Sequence, residues 1–281
     1  MRKISEKAAA MAAMGPLFAC PVCQAALAVD GLGLTCENGH RYDLAKKGTV
    51  NFLNKPVATE YLAPMLAARR RLLDAGLFEP FLAPIRAQLS AADRFLDIGC
   101  GEGTPTAALA TSGATGVGFD ISAPAIQLAG GLSTSAVFCV ADLARLPFLP
   151  GSFSAIVDLF SPGAYAEFDR VLQQGGRLFK VIPDSDYLRE LRQGLYHDTD
   201  KATYSNAEVK ARFSVHYPQT TVTKIAYDFP LTKSQFADLM AMTPLTWQAP
   251  ADRRAAMLEH PPVSIHVAVE LLQVNNSAKE G

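Results

Sequence analysis

The run Phe95-Leu96-Asp97-Ile98-Gly99-Cys100-Gly101-Glu102-Gly103 sets a short apolar strand directly before a glycine turn, and Ala107-Ala108-Leu109-Ala110 continues it as a helix. Strand, glycine turn and helix in that order form the opening unit of a doubly wound α/β sheet. Glycines there let backbone amides approach a ligand, and the helix N-terminus favours an anionic group. Further strands follow at suitable intervals: Gly116 to Asp120, Val137 to Asp142, Phe153 to Phe160 and Gly175 to Ile182, the last after a helix expected over Ala164 to Leu172. Val215 to Asp228 and Pro262 to Val274 read as late strands. Helices over Lys233 to Met240 and Asp252 to Leu258 separate them, parted at Thr243-Pro244.

The glycine loop reads D-x-G-x-G-x-G, not the phosphate-cradling G-x-G-x-x-G. An acid ahead of the first glycine, Asp97, suits a cationic amino group better than a pyrophosphate. The second strand ends on Asp120, where a carboxylate can accept both hydroxyls of a ribose. The third ends on Asp142, able to accept from an adenine amino group. Each acid alone is an ordinary strand-end residue; three in succession behind this loop make S-adenosylmethionine the expected cofactor, with Gly99 and Gly101 as points of close backbone approach. Ligands of open α/β sheets sit beyond the carboxyl ends of the strands, so Asp97, Asp120, Asp142 and Ser161-Pro162 should meet in one crevice.

Ahead of this sheet, Cys20, Cys23, Cys36 and His40 make a C-x2-C-x12-C-x3-H cluster. Zinc takes four such donors in a tetrahedron, and a C-x2-C turn brings two thiolates to one ion while a hairpin returns the second pair. Pro21 stiffens the first knuckle, and Asn38 and Gly39 can supply positive backbone dihedrals in the second. Ala26 to Thr35, around Asp30-Gly31, reads as the hairpin. The competing readings are a pair of disulfides or four unrelated residues. Leu17-Phe18-Ala19-Cys20 faintly resembles a lipoprotein cleavage box, but the stretch around it is Ala-rich and broken by Gly15-Pro16 and Pro21, unlike a signal core or a membrane span. Residues 1–15 are therefore expected as a frayed lead-in or short helix, and the chain as cytoplasmic with reduced thiols.

With 281 residues, 49% of them hydrophobic, the chain can build a large core beside a small module. The expected division is a zinc module over 1–55, a linker of two helices over 56–90 that stops at Asp74-Ala75-Gly76 and restarts near Pro80, and a large domain over 91–281. Net charge is only −1, which excludes a globally basic nucleic-acid binder, yet residues 1–55 carry 7 basic against 4 acidic side chains. Arg41, Lys46, Lys47 and Lys55, followed by Arg69, Arg70 and Arg71, could face phosphates; the alternative is a merely solvated face.

Matches in fixed order then become specific. The zinc spacing, Asp43-Leu44-Ala45-Lys46-Lys47-Gly48-Thr49-Val50-Asn51, Ala68-Arg69-Arg70, Leu73-Asp74-Ala75-Gly76, Leu96 to Gly103, Arg145-Leu146-Pro147-Phe148, Ser161-Pro162 with Glu167 and Arg170, Pro183 with Tyr187-Leu188, and Met242-Thr243-Pro244 before Trp247 together resemble the bacterial 23S rRNA guanine-N1 methyltransferases. The resemblance covers nearly the whole chain. It implies a Rossmann-like class I methyltransferase sheet with a small N-terminal zinc-binding module. Cys20, Cys23, Cys36 and His40 are then zinc ligands, Gly101 and Glu102 cofactor contacts, and Phe78 and Tyr187 walls of the cofactor pocket. Phe78 stands where some relatives carry Tyr, and the linker from Lys55 to Tyr61 lacks the Gly-Asp pair usual ahead of the Arg-Arg helix.

The implied chemistry is attack by guanine N1 on a sulfonium methyl, where positioning and loss of the N1 proton matter most. N1 lies on the Watson-Crick edge, so the base must leave its pair, and a pocket lined by Phe160, Ser161 and Pro162 is expected for it. Asp158 is a candidate proton acceptor or, alternatively, buried structure. His266, Cys100 and Cys139 are expected as packed core residues. The implied partner is 23S rRNA, read in part by the zinc module; no membrane is involved, and a homodimer is left open. Two rivals stand beside this reading: a small-molecule methyltransferase and a non-catalytic zinc-containing RNA-binding protein.

Overall fold

The computed structural model describes residues 2–55, 57, 59 and 62–275. The linker expectations that fall on Pro56, Ala58, Glu60 and Tyr61 lie outside the described residues. The expected lead-in is a seated helix, α1 (Lys3–Ala13), burying Lys7, Ala8 and Met11. What seats it is an ammonium acting as a cap: Lys7 Nζ donates to the carbonyls of Thr134 and Ala136. Four short antiparallel strands follow in spatial order, β1 (Phe18–Ala19), β2 (Ala26–Asp30), β3 (Gly33–Cys36) and β4 (Arg41–Asp43). The expected hairpin is present, with Asp30 opposite Gly33 and Gly31 turning at φ +62°.

Beyond β5 (Val50–Asn51) come α2 (Ala63–Asp74) and α3 (Glu79–Arg86), parted at Gly76 as expected. The large unit then runs β6 (Arg94–Ile98), α4 (Thr104–Ala110), β7 (Thr115–Asp120), α5 (Ala123–Ala129), β8 (Val137–Val140), β9 (Phe153–Leu159), α6 (Tyr165–Val171) and β10 (Leu172–Pro183). It closes with α7 (Arg189–Tyr196), α8 (Ala207–His216), β11 (Thr221–Pro230), α9 (Lys233–Met242), α10 (Ala251–Glu259) and β12 (Ser264–Asn275). The strands form one sheet in the order β11-β12-β10-β9-β6-β7-β8-β5, parallel except for β12, which runs against both neighbours. Strand order reverses between β6 and β9, and a crevice opens where the crossovers diverge.

Two expectations need correction. The strand expected over Val215 to Asp228 begins only at Thr221, because Val215 lies in α8, 81% exposed, on a helix whose one buried residue is Phe213. A β-branched residue near a boundary misled the reading; Pro218, two residues past the helix, marks the break. The division at residue 55 also falls after a strand of the large sheet, since β5 pairs with β8 through Val50 and Cys139. The small sheet is keyed to the large one by Phe18, whose ring centroid lies 5.4 Å from that of Phe52 and 5.6 Å from that of Phe148. Backbone bonds from Ala19 N–H to Pro147 and from Leu149 N–H to Leu17 fix the same seam. One face of the sheet packs on α2, α3, α7 and α9, the other on α1, α6, α8 and the small sheet. No helix among the described residues is long and apolar enough to cross a membrane.

Candidate cofactor cavity and metal centre

At the switch point lies a cavity of about 450 Å³, bounded below by the loop after β6 and above by α2 and the Met242-Thr243-Pro244 turn. The glycine turn is built for close approach. Gly99 sits at φ +62°, and a Cβ there would fall 2.3 Å from Ser161 Oγ. Gly101, at φ +57°, donates its N–H to Asp120 Oδ2 at 2.9 Å. The other Asp120 oxygen accepts the Ser122 N–H at 2.8 Å. Each carboxylate oxygen keeps a lone pair for a ligand, and burial pushes the Asp120 carboxyl above its ordinary value. Asp142 lines the same cavity two residues beyond the end of β8, its Oδ1 held by Ala144 N–H at 2.9 Å. Phe78 and Tyr187 are walls, with Phe160 between them at 5.6 and 5.5 Å between ring centroids. Burial raises the Tyr187 hydroxyl to about 12, so it stays a neutral donor.

Three expected residues stand elsewhere. Asp97 does not line the cavity; its carboxylate lies behind the loop, 1% exposed, accepting from Thr106 Oγ1 at 2.6 Å, and burial raises it to about 7. Glu102 is also behind the wall, fully buried, bonded by Arg70 Nε at 3.1 Å and Thr104 Oγ1 at 2.6 Å, with Arg69 Nε 3.8 Å from its other oxygen. Asp158 faces Lys180, not a cavity: Lys180 Nζ donates to its Oδ2 at 2.6 Å and the Ser161 N–H to its Oδ1 at 3.0 Å. Burial raises its carboxyl to about 6. Ser161 and Pro162 do line the cavity, and Ser161 Oγ donates to the Ile98 carbonyl at 3.0 Å.

Five of the seven residues of the expected basic strip have partners within the chain. Arg69 lines the cavity with its guanidinium 5.2 Å from the Phe78 ring centroid, Arg70 is spent on Glu102, and Arg71 grips Asp238 at 2.5 Å. Arg41 pairs with Asp30 and Asp43, and Lys47 donates to the Gln127 carbonyl. Sequence reasoning missed both Arg69 and Thr243 as cavity residues. Among the described residues, Thr243 Oγ1 and Glu102 Oε1 are the buried side-chain oxygens with no hydrogen-bond partner. Thr243 lines the cavity, so its orphaned hydroxyl is a group that a polar ligand would satisfy. His266 is satisfied by Asp228 at 2.7 Å but only partly buried, while Cys100 and Cys139 are packed as expected.

In the small sheet the donor atoms of Cys20, Cys23, Cys36 and His40 all lie within 4.8 Å of one another. Cys23 and Cys36 Sγ are 3.7 Å apart, too far for a disulfide and equal to the edge of a zinc-thiolate tetrahedron, about 3.8 Å for bonds of about 2.3 Å. His40 Nδ1 stands 3.5 Å from Cys20 Sγ and 3.4 Å from Cys36 Sγ, the shorter edges that a nitrogen ligand gives. A hydrogen bond from the Asn38 side chain, then one from Ala25, lowers the Cys23 thiol to about 6, while burial raises that of Cys36. The Tyr42 hydroxyl, 3.7 Å from Cys20 Sγ, supports the cluster from outside. These four residues fit zinc, which would hold the two knuckles and the hairpin together.

A mostly parallel sheet in this order, a nucleoside-sized cavity at its switch point and a Cys3His cluster define a Rossmann-like methyltransferase carrying a zinc ribbon. A family model described as a methyltransferase domain matches residues 96–180, and one described as the RlmA N-terminal zinc ribbon matches residues 18–59. The chain is 40% identical over 270 residues to YxjB of Bacillus subtilis, named as a 23S rRNA (guanine-N1)-methyltransferase, covering 91% of this chain and 96% of that one. It is 30% identical to the 23S rRNA (guanine(748)-N1)-methyltransferase of Streptomyces fradiae, over 86% and 90% of the two chains. A solved structure from Anabaena variabilis, described as a methyltransferase of an antibiotic biosynthesis pathway, shares the fold with a TM-score of 0.52 at 14% identity, over 69% of this chain and 96% of that one. The chain belongs to the family of bacterial 23S rRNA (guanine-N1)-methyltransferases.

Proposed function

We propose that the protein transfers a methyl group from S-adenosylmethionine to N1 of a guanine in 23S rRNA, with the zinc ribbon helping to seat the RNA. What carries the reading is the junction of the cofactor cavity with the Ser161-Pro162 rim in a chain related over nearly its full length to enzymes named for that reaction. S-adenosylmethionine supplies a methyl group on a sulfonium whose neutral thioether leaves without needing a proton. The chain's own residues bind and orient. Asp120 takes the ribose hydroxyls, Asp142 the adenine amino group, Gly99 and Gly101 allow close backbone approach, Phe78 and Tyr187 flank the cofactor, and Thr243 donates to it. Arg69, a cation on the cavity wall, suits the carboxylate of the methionine tail better than the buried Asp97 suits its amino group. Ser161 and Pro162 form the rim over which the base edge must pass. Asp158, engaged by Lys180 and Ser161, acts by fixing that rim.

Mass mapping of 23S rRNA from cells with and without the protein tests this. One guanine should lose a methyl group at N1 when the protein is absent and regain it when purified protein and cofactor are added. An unchanged map, with methylation of a small molecule instead, would sink the rRNA assignment. Failure to bind S-adenosylmethionine by titration would sink the methyltransferase assignment altogether.

A further inference from the structure

A second cavity, of about 500 Å³, meets the first along Phe160, Ser161, Pro162 and Pro183. Phe160 holds this partition in the left-handed region at φ +62°, where a non-glycine residue persists only if its surroundings enforce it. Lys180 forms part of the far side, and it is an odd residue to find there. It lies 2% exposed on β10 between the buried Phe179 and Val181. Its charge is neutralised from β9 by Asp158, its register partner. An ammonium has three donors; one goes to Asp158 Oδ2 at 2.6 Å and one to the Ser161 carbonyl at 2.7 Å. The third belongs to a residue that lines the second cavity. A buried ammonium gains by spending that donor on a ligand acceptor, since nothing apolar around it can satisfy it.

We infer that the second cavity is the acceptor-base subsite and that Lys180 reads the 6-oxo group of guanine there. The inference rests on the methyltransferase reading above and names the acceptor side of the same site. Guanine places the O6 acceptor next to N1–H, where adenine places an amino donor that an ammonium would repel. When the N1–H bond breaks, its electron pair stays in the ring and spreads onto O6, and the proton passes to water. The Lys180 ammonium stabilises the charge that gathers on O6, so N1 loses its proton at a lower pH than it does in water. Besides Lys180, the charged and titratable groups lining this space are Tyr165 from α6, Tyr204 from the loop before α8, and Glu208 with Arg212 from α8; Asp158 lies beneath Lys180, buried outside the lining. Glu208 and Arg212 pair with each other in the open, 3.4 Å apart, and so contribute little net field.

The full-length protein tests this with guanosine, inosine and adenosine 5′-monophosphates as probes, their binding measured by saturation-transfer NMR. The two 6-oxopurines should bind at least about tenfold more tightly than the adenine nucleotide, as expected for one hydrogen bond to a charged donor. Lys180→Met alone strands Asp158 and can unfold the chain, so the deciding variant is Asp158→Asn with Lys180→Met, which removes both buried charges together. In it the 6-oxo preference should vanish while S-adenosylmethionine affinity holds. The pH midpoint of single-turnover rRNA methylation should rise by about one unit. Equal binding of the three probes by the wild-type protein overturns the inference. A folded double variant that keeps both the preference and the pH midpoint also overturns it. If the wild-type protein leaves rRNA unmethylated, the function proposed above fails, and the nucleotide preference alone still decides the subsite.

Discussion

Asp120 is the residue on which cofactor binding should turn, because its two oxygens are oriented by backbone N–H groups and each keeps a free lone pair. Asp120→Ala removes charge-assisted bonds worth about 1.5–3 kcal/mol, so the dissociation constant for S-adenosylmethionine should rise about 10- to 100-fold by calorimetry. Unchanged affinity would take the ribose role away from it. Asp97 is governed by burial instead. Its folded carboxyl lies at about 7, above the roughly 3.9 of an unfolded chain, so between those values the folded state holds a proton that the unfolded state has released. Stability therefore falls as pH rises through that window, by at most about 1.4 kcal/mol per unit. Asp97→Asn keeps an acceptor for Thr106 and abolishes this penalty. Urea denaturation should show the variant gaining on the wild type at mildly alkaline pH and not at acid pH. Sequence placed Asp120 and Asp142 at the cavity because strand ends point their acids at the switch point. It misplaced Asp97 because a residue inside a strand faces one side of the sheet, and here that side carries Thr106. Lys180 had a signal that went unread: a charge in an apolar strand beside a strand carrying Asp158 needs a buried partner.

At the scale of elements, the glycine turn is held to α2 by the fully buried carboxylate of Glu102. Arg70 donates to both Glu102 Oε2 and its backbone carbonyl, the latter at 2.7 Å, so the helix and the loop that shape the cavity move as one piece. Arg70→Met leaves Glu102 charged and buried, with Arg69 3.8 Å from one oxygen as the remaining cation, which should cost about 3 kcal/mol in urea denaturation. Adding Glu102→Gln should recover most of that loss, and failure to recover it would mean that Arg70 acts through packing rather than charge. The helices of this layer were legible from their apolar spacing and from Gly76. The run of arginines was not, because charge in a sequence does not say whether its partner is phosphate, Glu102 or Asp238. The edge strand β5, two residues long, offers no periodicity at all; only its pairing with β8 reveals it.

Across the whole molecule, the ribbon and the large sheet are separate in chemistry but joined in structure. The metal cluster sits in the small sheet, whereas the seam to the large one is made by Phe18 against Phe148, by backbone bonds at Leu17 and Ala19, and by β5 against β8. Two perturbations of the same region should therefore behave differently. Cys20→Ser with Cys23→Ser loosens the knuckles and leaves the Phe52, Val50 and α1 contacts in place. Zinc content by mass spectrometry should drop to background and rRNA methylation should be lost, while cofactor affinity stays within about twofold, as for distant independent sites. A chain begun at residue 56 also loses β5 and α1, which bares the β8 edge and the apolar side chains that Phe18 and Met11 cover. An uncovered parallel edge beside apolar surface invites association, so this shortened chain should elute as aggregate in size-exclusion chromatography and fail to bind cofactor. If it instead ran as a monomer with wild-type cofactor affinity, β5 would be an ornament of the sheet. If the double serine variant lost cofactor binding together with methylation, the metal would be holding up the fold rather than seating the RNA.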